Sequence, residues 1–284
     1  MKVTGVLPLF FPSCRRLWPD RLAGLSGTLL RATALEAAIL AGHLLLYPTG
    51  LIRERHPAAL PAPGDGTARL PVKPAPPVVL LHGFIDNRSV FVLLRRALAQ
   101  HGRQRVESLN YSPLTCDIRT AAELLGRHIE EICARTGSAR VDIVGHSLGG
   151  LIARYYAQCL GGDQRVRTLV TLGTPHSGTR VAPLADAHPI VRQMRPGSAL
   201  IEELARPAPG CRTRFVSFWS DLDSLMDPLE TACLEHPDLD TLNVRVSGIG
   251  HLALPVHPAV AAAIREALDA PRPGDRTTGG LTVA

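Results

Sequence analysis

The sequence predicts an α/β domain, a mostly parallel sheet with helices on both faces. Two observations lead there. From residue 78 to residue 268 short apolar runs alternate with helical segments, and strand and helix in turn bring successive strands parallel. The longest helical segment sets Ala121, Leu124, Leu125, His128, Ile129 and Ile132 at helical spacing. Composition agrees: 45% of the 284 residues are hydrophobic, enough for the core of one large domain. It excludes low-complexity, collagen-like and wholly disordered chains.

The elements follow in order. Val78–Leu81 is four apolar residues in a row, as in a strand buried on both faces. Ser89 is expected to cap a helix reaching about Gln100. A second strand is expected over 105–109, a helix over 118–135, a third strand over 141–144 and a helix over 148–160. Strands over 166–172, 213–219 and 243–246 come next, and a last helix over 258–268. Residues 178–211 carry Leu184, Ile190, Val191, Met194, Leu200, Ile201 and Leu204. These suit a small helical cap that shields a site and opens, or equally ordinary core. Ser198 should start a helix there, through Ala205 and ending before Pro207.

Outside this region the reading is sparser. Residues 1–56 form an apolar helical segment, residues 57–77 a Pro- and Gly-rich linker, residues 78–270 the α/β domain, and residues 271–284 a disordered tail. The start of the chain lacks a clean secretion signal, because prolines interrupt the short apolar stretch after Lys2. The longest uncharged run, residues 37–52, falls short of the ~18 residues of a spanning helix. Residues 25–46 are therefore expected as a helix that packs on the body or lies at a membrane surface, with a single-pass anchor left open. The cytoplasm or a membrane surface is the expected location, and export is left open.

The net charge is +6, and only Lys2 and Lys73 among the basic residues are lysine. The arginines stand singly or in pairs (Arg15-Arg16, Arg95-Arg96) without the runs that track phosphates, so nucleic acid is not an expected partner. The six cysteines include no C-x-x-C pair and give no support to a metal site. They read as small buried hydrophobes. The other reading, bridges Cys116–Cys133 and Cys211–Cys233, would imply an oxidising compartment.

The sharpest chemical signal is Gly145-His146-Ser147-Leu148-Gly149, a G-x-S-x-G with an apolar strand running in and a helix running out. That context is what a nucleophilic serine needs. A strained strand-to-helix turn exposes the hydroxyl, small residues two before and two after let the chains pass closely, and the helix start favours developing negative charge. Serine also needs a base, and the base an orienting acid. Of the later histidines, His251 follows a strand through Ser247-Gly-Ile-Gly250, at the sheet end where ligands gather. His257, beside Pro258 at a helix start, suits a structural role. The acid comes from Asp221, Asp223 or Asp227 after the strand over 213–219. Asp223 is the first choice, because Met226 can pack while the acid faces the histidine, and Asp221 is second. Asp142, inside the nucleophile strand, points away from the site.

The third feature is Leu80-Leu81-His82-Gly83-Phe84 at the end of the first strand. The N–H groups of Phe84 and Leu148 would form a two-donor oxyanion hole, with His82 shaping the loop.

On these residues, with Gly173-Thr-Pro-His-Ser-Gly178, the chain resembles the α/β-hydrolase superfamily and, within it, the bacterial lipases and esterases. The resemblance spans about residues 78–268 and leaves the first 77 residues outside. It implies the α/β-hydrolase fold and hydrolysis of an acyl ester by Ser147, His251 and Asp223 through an acyl-enzyme, without a cofactor or metal. The expected partner is a lipid or other apolar ester, with a membrane surface as a further one through the N-terminal helix. An acyltransferase or thioesterase would carry the same residues, and a non-catalytic binding module is the remaining alternative.

Overall fold

A computed structural model of the chain describes residues 27–51, 75–84, 86–103, 105–112, 117–181 and 188–270. The expected linker (except residues 75–77), the expected tail, Cys14, Cys116 and Leu184 lie outside the described residues.

Six strands form one parallel sheet: β1 (Val78–Leu81), β2 (Val106–Leu109), β3 (Val141–His146), β4 (Val166–Leu172), β5 (Arg214–Ser220) and β6 (Asp240–Val246), in spatial order β2-β1-β3-β4-β5-β6. The reason is visible residue by residue. Val78 and Leu80 of β1 face one core, while Val79 and Leu81 face the other, so both faces of the strand demand apolar side chains. On the first face lie α3 (Ile118–Thr136) and α4 (Leu148–Cys159), with Ile129 and Ile152 fully buried. On the second lie α2 (Val92–Gln100) and α7 (Pro258–Asp269), through Leu94, Leu98, Ile264 and Leu268.

The chain order reverses between β1 and β3. From β1 it runs outward to β2, then returns to β3 and continues the other way. In open α/β sheets the crevice at the carboxyl ends of such a pair is where ligands bind. Ser147 follows β3 and Gly83-Phe84 follows β1, so both flank that crevice.

The structure bears on three expectations. Asn87, not Ser89, begins the second helical segment: its side chain accepts the Ser89 N–H at 2.9 Å and opens a 3-10 turn, Arg88–Phe91, ahead of α2. Asn is among the best caps because its short carbonyl reaches the free N–H groups of the first turn. Among the described residues Cys211 and Cys233 are free thiols and do not bridge, and Cys133, on α3, is a free thiol buried in the core; Cys116 lies outside the described residues. Finally, the apolar residues of the cap region point inward. Ile190, Val191, Met194, Leu200 and Leu204, on or beside α5 (Pro189–Gln193) and α6 (Ala199–Leu204), belong to the first core.

The N-terminal helix, α1 (Gly27–Leu51), runs through Pro48. It is apolar nearly all round. Ala32, His43 and Gly50 are buried against the body and Glu36 and Ile39 half-buried, all on one face, while Leu30, Leu40, Leu44 and Leu45 look outward, with Leu45 81% exposed.

Candidate active site

Ser147 stands between β3 and α4 with φ 52° and ψ −120°, the one non-glycine with positive φ among the described residues. Such a conformation costs of order 1–3 kcal/mol and persists only where the surroundings enforce it. They do so here. The Ser147 N–H donates to the Leu172 carbonyl at 2.8 Å, and the Ser147 carbonyl accepts from the Thr174 hydroxyl and the Gly150 N–H, each at 3.0 Å. The flanking glycines have a steric reason. A Cβ on Gly145 would lie 2.6 Å from the Gly150 nitrogen, and one on Gly149 would lie 2.4 Å from the Leu81 carbonyl oxygen. Only hydrogen in those places lets the first turn of α4 cross β1 so closely.

Asp223 and His251 meet as expected. The His251 Nδ1 lies 2.8 Å from Asp223 Oδ2, with both residues almost fully buried. The other carboxylate oxygen of Asp223 accepts the Leu225 N–H at 3.0 Å, and the N–H of the buried Met226 donates to the Asp223 carbonyl at 3.3 Å. The two competing acids are engaged elsewhere. Asp221 accepts the Gly248 N–H at 3.1 Å and pairs with Arg245 at 3.0 Å, while Asp227 is tied to Thr179 and Arg180 through its backbone. Asp142 is held by Arg103 and Arg167 at 3.1 and 2.6 Å. Burial alone would lower the pKa of His251. The charge and hydrogen bond of Asp223, with Glu36 and Asp86 beyond, outweigh burial and raise it above the ordinary histidine value.

The remaining histidines take structural positions. His257 is the N-cap residue of α7. His176 is buried against the Thr171 hydroxyl at 3.0 Å. His82 stacks on Tyr111 with ring centroids 4.4 Å apart, and the Tyr111 hydroxyl donates to the His82 carbonyl.

The oxyanion-hole candidates lie on either side of Ser147. Leu148 opens α4, so its N–H is among those a helix leaves without an internal acceptor. Phe84 follows Gly83, where a Cβ would come within 3.5 Å of the Ser147 Cβ. The Phe84 ring meets His188, just before α5, edge-on at 5.6 Å, so the cap region borders this loop.

Three supports escaped the sequence. Gly173 (φ 51°) leaves room for the Asp223–His251 pair, since a Cβ there would lie 2.7 Å from Asp223 Oδ2 and 2.9 Å from His251 Nδ1. His146 sits in the variable position of the serine motif. Its Nε2 lies 3.2 Å from the His251 carbonyl oxygen, and burial with the neighbouring His251 lowers its pKa to about 3, so it donates as a neutral ring. Glu36 of α1 receives the N–H groups of Leu252 and Ala253, both at 2.9 Å. A lone carboxylate in an apolar helix was the only local signal for it.

A family model for the alpha/beta hydrolase fold matches residues 76–208. A triacylglycerol lipase of Burkholderia plantarii is 31% identical over 160 residues, 54% of this chain and 41% of that protein. Another, of Pseudarthrobacter phenanthrenivorans, is 32% identical over 114 residues, 37% of this chain and 35% of that protein. The chain thus spans about two fifths of the length of the curated relatives it matches. Among solved structures, Bacillus licheniformis lipase BlEst2 in mature form shares the fold with a TM-score of 0.57 and 17% identity, covering 72% of this chain and 96% of that one. Sheet order, serine elbow and sequence similarity agree: residues 76–208 match the alpha/beta hydrolase fold, the whole sheet has that architecture, and the similar curated proteins are bacterial triacylglycerol lipases.

Proposed function

We propose that this protein is a serine hydrolase that cleaves carboxylic esters with apolar acyl chains. The observation that carries the reading is the strained Ser147 beside the buried Asp223–His251 pair, at the point where the sheet reverses its order. His251 takes the Ser147 proton as the hydroxyl oxygen attacks the ester carbonyl carbon, and Asp223 stabilises the imidazolium that forms. The tetrahedral oxyanion is held by the N–H groups of Phe84 and Leu148. Collapse breaks the bond to the alcohol, which leaves with the proton from His251. Water then attacks the acyl-enzyme, gives its proton to His251, and the acid is released as Ser147 regains its hydrogen.

The substrate class rests on two supports. The similar proteins are triacylglycerol lipases by name. The outward face of α1 is rich in leucines, and the 22-residue stretch Leu29–Gly50 is long and apolar enough to cross a membrane. Its other face binds the body through Glu36 and His43, so we read α1 as lying along a lipid surface. The enzyme would then take its ester from the membrane boundary. Flotation with phosphatidylcholine vesicles tests this: the full chain should float, and Leu44→Glu with Leu45→Glu should leave it at the bottom of the gradient. Equal flotation of both would count against the membrane role. For the chemistry, a fluorophosphonate probe should label wild type and not Ser147→Ala; an unlabelled wild type would remove the serine-hydrolase reading.

A further inference from the structure

Resting on that reading, we propose that Glu36 is a positioning residue for His251, which makes the apolar helix α1 part of the device that sets the catalytic base. Glu36 is the single carboxylate between residues 27 and 51, and it faces the body instead of solvent. Both of its oxygens are used on one turn: Oε2 accepts from Leu252 and Oε1 from Ala253, the two residues that follow His251. Gly250, immediately before His251, allows the approach. A Cβ there would stand 2.5 Å from the Glu36 carboxyl carbon, so any side chain would push the two apart.

The turn is therefore gripped from three directions. Asp223 holds the imidazole, His146 holds the His251 carbonyl, and Glu36 holds the two following amides. The rest of α1 is fastened beside the other half of the site. His43 lies 3.5 Å from Asp86, Asn87 Nδ2 donates to the Tyr47 carbonyl at 2.9 Å, and Asn110 Nδ2 donates to the Gly50 carbonyl at 2.7 Å. One helix thus spans from the histidine turn to the loop that follows Phe84. The groups facing His251 are the carboxylates of Asp223, Glu36 and Asp86 and the neutral ring of His146, 4.7 Å away between centroids. Of the carboxylates, Glu36 alone comes from outside the region that resembles the superfamily.

The test is the pH dependence of a soluble ester, p-nitrophenyl butyrate, with full-length wild type, Glu36→Gln and Glu36→Ala, and fluorophosphonate labelling rates in parallel. Misplacing a base by a fraction of an ångström lowers turnover, so Glu36→Ala should lose about 10- to 100-fold in kcat with KM little changed. Glu36→Gln keeps the size and one acceptor oxygen and removes the charge. It should lose less kcat, and its acid limb in kcat/KM should move to lower pH, because a negative charge that favours the imidazolium is gone. A purely structural staple would leave that limb in place. If Glu36→Ala does not fold, the Glu36→Gln profile decides. Labelled wild type with both variants matching its kcat and acid limb overturns the role of Glu36 alone. Unlabelled wild type overturns the serine-hydrolase reading as well.

Discussion

The Asp223 carboxylate and the His251 imidazole meet at 2.8 Å inside the protein, brought together from loops 28 residues apart. Asp221, two residues earlier, faces Arg245 and the Gly248 N–H instead. The two acids therefore separate cleanly by mutation. Asp223→Asn should lower kcat by roughly 10⁴-fold, through loss of the tautomer and of imidazolium stabilisation. Asp221→Asn should stay within a few-fold of wild type. Steady-state hydrolysis of p-nitrophenyl butyrate reads both, and equal losses would mean the acid has been misassigned.

The raised pKa of His251 sets a pH profile. The base must be neutral to accept the Ser147 proton, so kcat/KM should fall on the acid side with a midpoint above 6.5. A midpoint at or below that value would show that burial outweighs the carboxylates around this ring.

Stability carries the opposite signs for two neighbouring histidines. Protonated His251 favours the folded state, a contribution fully present below pH 6.5 and lost as pH rises through its raised value. His146, held neutral with a pKa near 3, binds its proton more readily when unfolded, so it removes stability as pH falls from about 6.5 towards 3. His146→Gln keeps a donor for the His251 carbonyl and cannot titrate. Its urea midpoint should decline less steeply than that of wild type over that window.

Gly173 makes a local steric prediction. Alanine there must adopt a positive φ and place its Cβ within 2.7 Å of Asp223 and 2.9 Å of His251. Gly173→Ala should lose about 100-fold in kcat from displacement of the pair. Near-wild-type turnover would show that the loop yields without disturbing the site.

Arg154 tests the cap region. Its buried guanidinium donates to the carbonyls of His176 and Leu204 at 3.0 and 2.8 Å, and burial lowers its pKa to about 10. Arg154→Met leaves the His176 carbonyl without that donor and Leu204 with Gln158 alone, so it should destabilise the fold by about 1–3 kcal/mol. Denaturant titration reads the change. An unchanged midpoint would mean that the cap region is not fastened to α4 through this residue.

Legibility in the sequence followed the range of each interaction. Strands made of buried apolar runs announced themselves, and β1 and β4 fall where their residues say. The start of β6 did not, because Asp240, Thr241 and Leu242 lie on an exposed edge and carry no apolar run. The close-packing role of Gly145 and Gly149 was readable from the motif, since backbone crossing is a local demand. Asp223 and His251 were readable because each ends a strand on the same side of a parallel sheet. Glu36 was not: its partners lie 216 and 217 residues away, and an isolated glutamate in a leucine-rich helix says nothing about where it docks. The docking of α1 with its leucines outward was hidden for the same reason.

In the proposed mechanism Ser147 is a nucleophile that His251 and Asp223 activate toward esters. The decisive measurement is hydrolysis of p-nitrophenyl esters from acetyl to palmitoyl by wild type and Ser147→Ala. Wild type should release p-nitrophenol, and Ser147→Ala should lose about 10⁴- to 10⁶-fold in kcat. Equal activity in both proteins, or none in either on every chain length, would contradict the claim.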